Sequence, residues 1–345
     1  MELTYHTRRK IKKGVIIGLI VALILLLIWT CWIIWVERHM VYTRDGAVLD
    51  FAATSQYPGE GTLALPPAEQ ETISIYYNDG SDVVALDTSL RQLRGYYISA
   101  DMLANDMDTI RATVAALPVG SAVMMEVKSI KGSFYYTSSV EDASLATGMD
   151  LAAVDALIED IASRNLYLIG SVPAFRDRNY GLKNTSCGLP FIGGQGALWL
   201  DDSGCYWLDP TKKGTMSYLT DIATELRIKG FDEVVFTDFC FPGSPEIDFA
   251  GDKITAVQDA ADKLVAECTS DRFAVSFLTT DSTIQPVTGR SRLYITDVAA
   301  ENAAATAAGY AVEDPAVNLV FLTDSYDTRY ESYSVLRPME SASVS

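Results

Sequence analysis

The chain has 345 residues, 49% of them hydrophobic and 21% charged, with a formal net charge of −18. That hydrophobicity excludes a mostly disordered chain, and the length allows one large domain or two small ones at roughly 150 residues each. The first 40 residues hold six Lys+Arg against two Asp+Glu, so the rest is strongly acidic, repels phosphate backbones and argues against a nucleic-acid partner.

Only two histidines occur, His6 and His39, and they flank the apolar N-terminal stretch. Everything beyond residue 39 therefore lacks an imidazole. Ser-His-Asp and Cys-His nucleophile systems, HExxH zinc sites and His-bearing metal triads are excluded from the globular part. No CxxC pair is present either. No metal or cofactor is assigned, and if the domain is an enzyme, carboxylates, Tyr, Lys or a bound cofactor must move the protons.

Residues 1–13 read as a cytoplasmic tail carrying Arg8, Arg9, Lys10, Lys12 and Lys13. Residues 14–35 (GVIIGLIVALILLLIWTCWIIW) contain no charge, and about 20 such residues span a hydrocarbon core as a helix. Basic residues before the run, and Trp29, Trp32 and Trp35 at its far end, predict a single-pass anchor in the cell membrane. The N-terminus then stays cytoplasmic and the globular domain is extracytoplasmic. A cleaved signal peptide fits less well, because the run is long and ends in Trp35-Val36-Glu37-Arg38 without a small-x-small site. Cys187 and Cys205 share one Gly-rich stretch, where an extracytoplasmic setting permits a bridge, whereas Cys240 and Cys268 read as buried free thiols.

Residues 36–70 show little periodicity and read as a stalk. Residues 71–90 suggest a hairpin turning at Asp79-Gly80. From there strands and helices alternate. Strands are predicted at 95–99, 122–128, 166–172, 231–238, 273–278, 293–298 and 319–323. Apolar stripes such as Leu103, Met107, Ile110 and Val114 mark the intervening helices. Repeated βα units imply parallel strands with right-handed crossovers, and the length suits a (β/α)8 TIM-like barrel over 91–336, with a tail at 337–345. Seven strands are legible rather than eight, and 279–292 is short for a helix. An irregular or incomplete barrel is thus allowed, with an open doubly wound sheet as the rival. No GxGxxG or Walker loop follows the first strand.

In parallel α/β folds the ligand meets the carboxyl ends of strands. The polar residues expected there are Glu126, Lys128, Arg176, Asp177, Asp238, Asp297 and Asp324. Two carboxylates flanking a scissile bond are the minimal machinery for glycoside hydrolysis, and they need no histidine. Glu126 and Asp238, on separate strands, are the leading pair. Glu126 and Lys128, two apart on one strand face, fit a buried ion pair equally well. Trp199 and Trp207, the tryptophans outside the apolar run, suit stacking against sugar rings and fit loop anchoring as well.

The runs FRDRNYGL (175–182), ALWLDDSGCYWLDP (197–210) and GFDEVVFTDFCFP (230–242) together resemble the putative glycoside hydrolase family of bacterial proteins. These are membrane-anchored or secreted barrels related to the alpha-amylase-like glycosidases. The matching positions include Glu126-Val127-Lys128, Phe175-Arg176-Asp177, Trp199, Trp207, Asp209-Pro210 and Phe241-Pro242. Aligned without a gap, the family's fourth-strand Asp falls on Thr237 and its Tyr on Asp238, while its Arg before Phe-Pro becomes Cys240. Its third-strand Arg falls on Ser171. Strand alternation then aims Asp238 away from the site unless a bulge restores it.

The resemblance implies a membrane-anchored extracytoplasmic glycoside hydrolase acting on a cell-envelope or extracellular polysaccharide or oligosaccharide. Glu126 and Asp238 would be catalytic, and Lys128, Arg176, Asp177, Trp199, Trp207 and Asp297 would bind substrate. A catalytically degenerate barrel that binds glycan, or a structural envelope ectodomain, are the alternatives.

Overall fold

The computed structural model describes residues 21–35, 40–43, 46–49, 89–279 and 284–340. The chain divides into two compact units, 1–82 and 83–345. In the first, residues 21–35 form a helix whose apolar side chains are exposed, with the rings of Trp29 and Trp32 6.0 Å apart. Residues 14–20 of the expected span lie outside the described residues. Among the described residues no helix is long and apolar enough to cross a membrane. Within the stretch expected to be a stalk, Met40–Thr43 pairs antiparallel with Gly46–Leu49. The hairpin expected over 71–90 lies outside the described residues, save its last two positions.

The second unit is a closed barrel of eight parallel strands. In chain order these are β1 (Arg94–Ile98), β2 (Ala122–Glu126), β3 (Tyr167–Pro173), β4 (Glu233–Thr237), β5 (Ala274–Thr279), β6 (Leu293–Ile295), β7 (Leu319–Leu322) and β8 (Ser334–Pro338). Each neighbour is the next strand in sequence, and β8 closes onto β1. This is the (β/α)8 architecture, and the open-sheet rival is ruled out.

The strand that composition did not reveal is β8. Its sequence, SVLRP, carries two polar residues and ends in Pro338. Ser334 is tolerated at a buried position because its hydroxyl accepts from the Leu93 amide at 2.9 Å and reaches the Ala316 carbonyl at 3.0 Å. A buried polar group so paired carries little penalty.

Helices cover the first half of the barrel. The chief ones are α1 (Met107–Ala116), α2 (Leu151–Ser163), α3 (Lys213–Ile228) and α4 (Lys253–Cys268). Their starts are written in the sequence: Asp150 accepts from the Ala153 amide at 3.0 Å and Asp252 from the Thr255 amide at 2.7 Å, each satisfying a free N–H of the first turn. Val154, Leu157, Ile158 and Ile161 recur at helical spacing and are buried against the barrel wall. The second half is thinner. Residues 284–292, between β5 and β6, hold no helix, and β7 reaches β8 through a single 3-10 turn, Thr328–Tyr330. The barrel is therefore closed yet irregular.

Two cores result. One fills the space between strands and helices. The other fills the barrel interior with Ala122, Met124, Ile169, Val235, Tyr294, Val320 and Leu336, drawn from β2, β3, β4, β6, β7 and β8. Period-two alternation makes this inward set. Gly95 permits the closest approach: a Cβ there would lie 1.7 Å from the Ala122 carbonyl oxygen, on the neighbouring strand. The interior near the amino ends of the strands is sealed by a buried polar group. Arg292 pairs with Glu233, whose other oxygen accepts from the Tyr294 hydroxyl at 3.0 Å, while Tyr167 donates to Glu233 at 2.9 Å. Every charge there has a partner, as burial requires.

Candidate active site

At the carboxyl ends of the strands a cavity of about 540 Å³ opens, within the size range of ligand sites, roughly 300–1,000 Å³. Glu126 and Lys128 reach it from the end of β2, Ser171 and Pro173 from β3, Thr237 and Asp238 from β4, Asp297 from beyond β6 and Asp324 from beyond β7. Four carboxylates from four strand ends, Glu126, Asp238, Asp297 and Asp324, thus line one hollow.

Asp238 enters by an unexpected route. Thr237 is the inward residue of β4, following Glu233 and Val235, so a regular strand would turn Asp238 outward. Instead its backbone is left-handed, with φ of 48°, and both Thr237 and Asp238 line the cavity. Asp is one of the few residues that tolerates this conformation. Asp297 repeats the device at the end of β6, with φ of 59°. A single left-handed aspartate thus brings to the cavity a residue that regular strand alternation would turn away.

The electrostatics of Asp238 suit an acid. Burial pushes its carboxyl above the usual carboxylate range, and the opposing pull of Arg176, 3.9 Å away, and of Lys128 does not cancel it. Glu126 is exposed to the cavity, and its Oε2 accepts from the Ala100 amide at 2.6 Å. The cavity's aromatic wall is Tyr97 and Tyr135. Burial raises both phenols, with Asp324 and Glu126 adding to the rise at Tyr97, and Glu126 and Asp101 at Tyr135.

Lys128 does not pair with Glu126. Its ammonium lies 2.7 Å from Asp177, with both side chains fully buried, and donates to the Pro173 carbonyl at 2.8 Å. Asp177 also accepts from the Tyr180 amide at 2.8 Å and the Tyr218 hydroxyl at 3.0 Å, which caps the short helix Arg178–Lys183. It does not line the cavity. The expectation that Asp177 meets substrate is thus replaced by a structural role, fixed by its complete burial. Asp209, buried too, holds the Thr211 amide and hydroxyl at 2.9 and 2.6 Å.

Neither tryptophan lines the cavity. Trp207 is buried, with its indole N–H donating to Asp201 at 3.1 Å and Arg176 5.9 Å above its ring. Trp199 packs on the helix-side core. The loop-anchoring reading describes both, and Tyr97 and Tyr135 take the wall position assigned to them. Arg176 stands behind Asp238 rather than in the cavity, held by Asp201 at 2.6 Å.

Asp201, missed in the sequence, is the hub of this loop: it binds Arg176, Trp207 and the amides of Ser203 and Cys205. Burial opposes its ionisation, but these donors outweigh it and hold its carboxyl below the usual range. The DDSG turn following Trp199 was the only signal available. Cys187 and Cys205 are free thiols, both buried. The Cys205 thiol lies 3.9 Å from the Ser203 carbonyl, and the bridge that the Gly-rich stretch permits is not formed. No group of His, Cys, Asp and Glu among the described residues could hold a metal.

Among solved structures the chain is similar to a hypothetical protein from Ruminiclostridium thermocellum, at 21% identity and a TM-score of 0.45, covering 52% of this chain and 96% of that one. It is also similar to alpha-galactosidases from Thermus thermophilus (13% identity, TM-score 0.40, 55% of this chain and 41% of that one) and Geobacillus stearothermophilus (10%, 0.47, 74% and 39%). The match spans less than half of each galactosidase. No curated protein matches the chain in sequence. The family described as "Putative glycosyl hydrolase domain" matches residues 95–271, just over half of the chain and the part that supplies β1 through β4. By that match the chain belongs to the putative glycosyl hydrolase domain family.

Proposed function

We propose that the barrel is a glycosidase that cleaves a cell-envelope or extracellular polysaccharide through Glu126 and Asp238. One observation carries the reading: two carboxylates from β2 and β4 line the same cavity, the second turned in by a left-handed backbone. Asp238, pushed towards its protonated form by burial, acts as general acid to the leaving oxygen. Glu126, which opens on the cavity, serves as nucleophile or as base towards water. Lys128, fully buried and paired with Asp177, supplies a fixed positive charge beside the cavity rather than a contact to sugar hydroxyls. Asp297 binds substrate from the opposite wall.

The uncharged run 14–35 and its basic preface support a single-pass anchor, with the barrel on the outer side of the membrane. The test is release of reducing ends from a panel of envelope and capsular polysaccharides by the wild type, Glu126→Gln and Asp238→Asn. Each amide variant should lose activity by at least about 10²-fold, the usual contribution of a positioned acid or base. Full activity in both variants would overturn the proposal. Undiminished glycan binding without any cleavage by the wild type would assign a binding module instead.

A further inference from the structure

A second hollow of about 320 Å³ adjoins the main cavity, and Asp324 lines both. It lies where β8 meets β1 on the outer side of the barrel, since Leu336 and Tyr97 belong to the inward set and their neighbours Arg337 and Tyr96 therefore face out. Arg337 and Tyr96 are direct partners across the two strands. The guanidinium carbon of Arg337 stands 5.7 Å from the ring centre of Tyr96 and 4.8 Å from that of Tyr326. Two aromatic rings thus hold the cation.

What this cation lacks is an anion. Its Nε is buried without an acceptor, and among the described residues no carboxylate forms an ion pair with it. Arg164, Arg176, Arg292 and Arg329 each pair with a carboxylate. In a chain of net charge −18, acidic partners are abundant, so an arginine fixed in a hollow without one is poised for a carboxylate from outside. The guanidinium plane matches a carboxylate edge to edge, and its ring neighbours leave that edge as the polar surface on offer. Asp324 and Glu340 also line the hollow, so Arg337 is the group there that can offset a ligand's charge. Tyr326, largely exposed, offers a face for the ligand's ring.

Resting on the glycosidase reading, we infer that Arg337, Tyr96 and Tyr326 form a subsite for an acidic sugar residue, whose carboxylate lies on the Arg337 guanidinium while an adjacent residue of the same glycan occupies the main cavity. The substrate is then a uronate-bearing polysaccharide.

The experiment compares binding of the full-length protein to polygalacturonate, alginate and hyaluronan with binding to the same polymers after chemical reduction of their carboxyl groups, which keeps the linkages. At least one acidic form should bind tenfold or more tightly than its reduced form. Arg337→Gln should abolish that difference, and Arg337→Lys should retain part of it. Equal binding of native and reduced forms, or a preference that survives Arg337→Gln in protein with an unchanged Tm, would overturn the inference. Cleavage of neutral glycans that is lost in Glu126→Gln and Asp238→Asn would, in that case, leave the glycosidase reading standing.

Discussion

Removing the Asp177 carboxylate gives the most demanding test of how the site is supported. Asp177 and Lys128 are both fully buried and 2.7 Å apart, and the other acceptor for the Lys128 ammonium is the Pro173 carbonyl. Asp177→Asn leaves a buried, uncompensated ammonium, which costs about 3–5 kcal/mol. Asp177→Ala also removes the cap on the Tyr180 amide, for about 1 kcal/mol more. These sums are a large part of a typical stability of about 5–15 kcal/mol. At about 2–4 °C per kcal/mol, Asn should lower Tm by roughly 6–20 °C. Lys128→Met alone should cost a similar amount, because the Asp177 charge keeps only the Tyr180 and Tyr218 donors. The double variant Lys128→Met/Asp177→Asn removes both charges and should be more stable than the two single costs predict by about 2–3 kcal/mol. Urea unfolding followed by circular dichroism measures all four proteins. A loss below about 1 kcal/mol for Asp177→Asn, or strict additivity in the double variant, would refute the buried pair.

The same geometry fixes the outcome of other perturbations. Asp238→Asn should keep the fold, because Asn also accepts a left-handed backbone, whereas Asp238→Ala should be less stable than the Asn variant by about 1 kcal/mol in urea unfolding. The raised carboxyl of Asp238 makes its contribution to stability greatest below about pH 4, the unfolded value, and progressively lost as pH rises through the folded one; the stability gap between Asp238→Asn and wild type should therefore move in favour of Asn across that rise. Gly95→Ala should abolish the soluble barrel or lower its Tm by more than about 10 °C, since the added Cβ meets the Ala122 carbonyl at 1.7 Å, and a variant with wild-type Tm would contradict the β1–β2 spacing. Protease added to spheroplasts should digest the barrel and spare an epitope at residues 1–13; protection of the barrel would contradict the proposed anchor.

The sequence carried the first four strands and their helices clearly, because their apolar residues recur with period two or near 3.6 and Asp150 and Asp252 cap two of the helices. It concealed β8, where a paired serine and an outward arginine replace the expected apolar residues. At the site, strand-end position was enough to bring Glu126, Asp238 and Asp297 together. The direction of Asp238 was not legible, since it depends on one φ angle rather than on pattern. Nor were the partners of Lys128 and Trp207: Asp177 is remote from the lysine in sequence, and Asp201 reads as an ordinary loop acid. Composition tells which residues will be buried, whereas tertiary register decides which of them meet.

The measurement closest to the central claim is a crystal structure of the Asp238→Asn protein with an oligosaccharide product or slow substrate bound. The account predicts a sugar ring in the β-strand-end cavity, with its glycosidic oxygen within hydrogen-bond reach of residue 238 and its anomeric carbon facing Glu126. A glycan bound elsewhere on the barrel, with that cavity occupied by water alone, would contradict it.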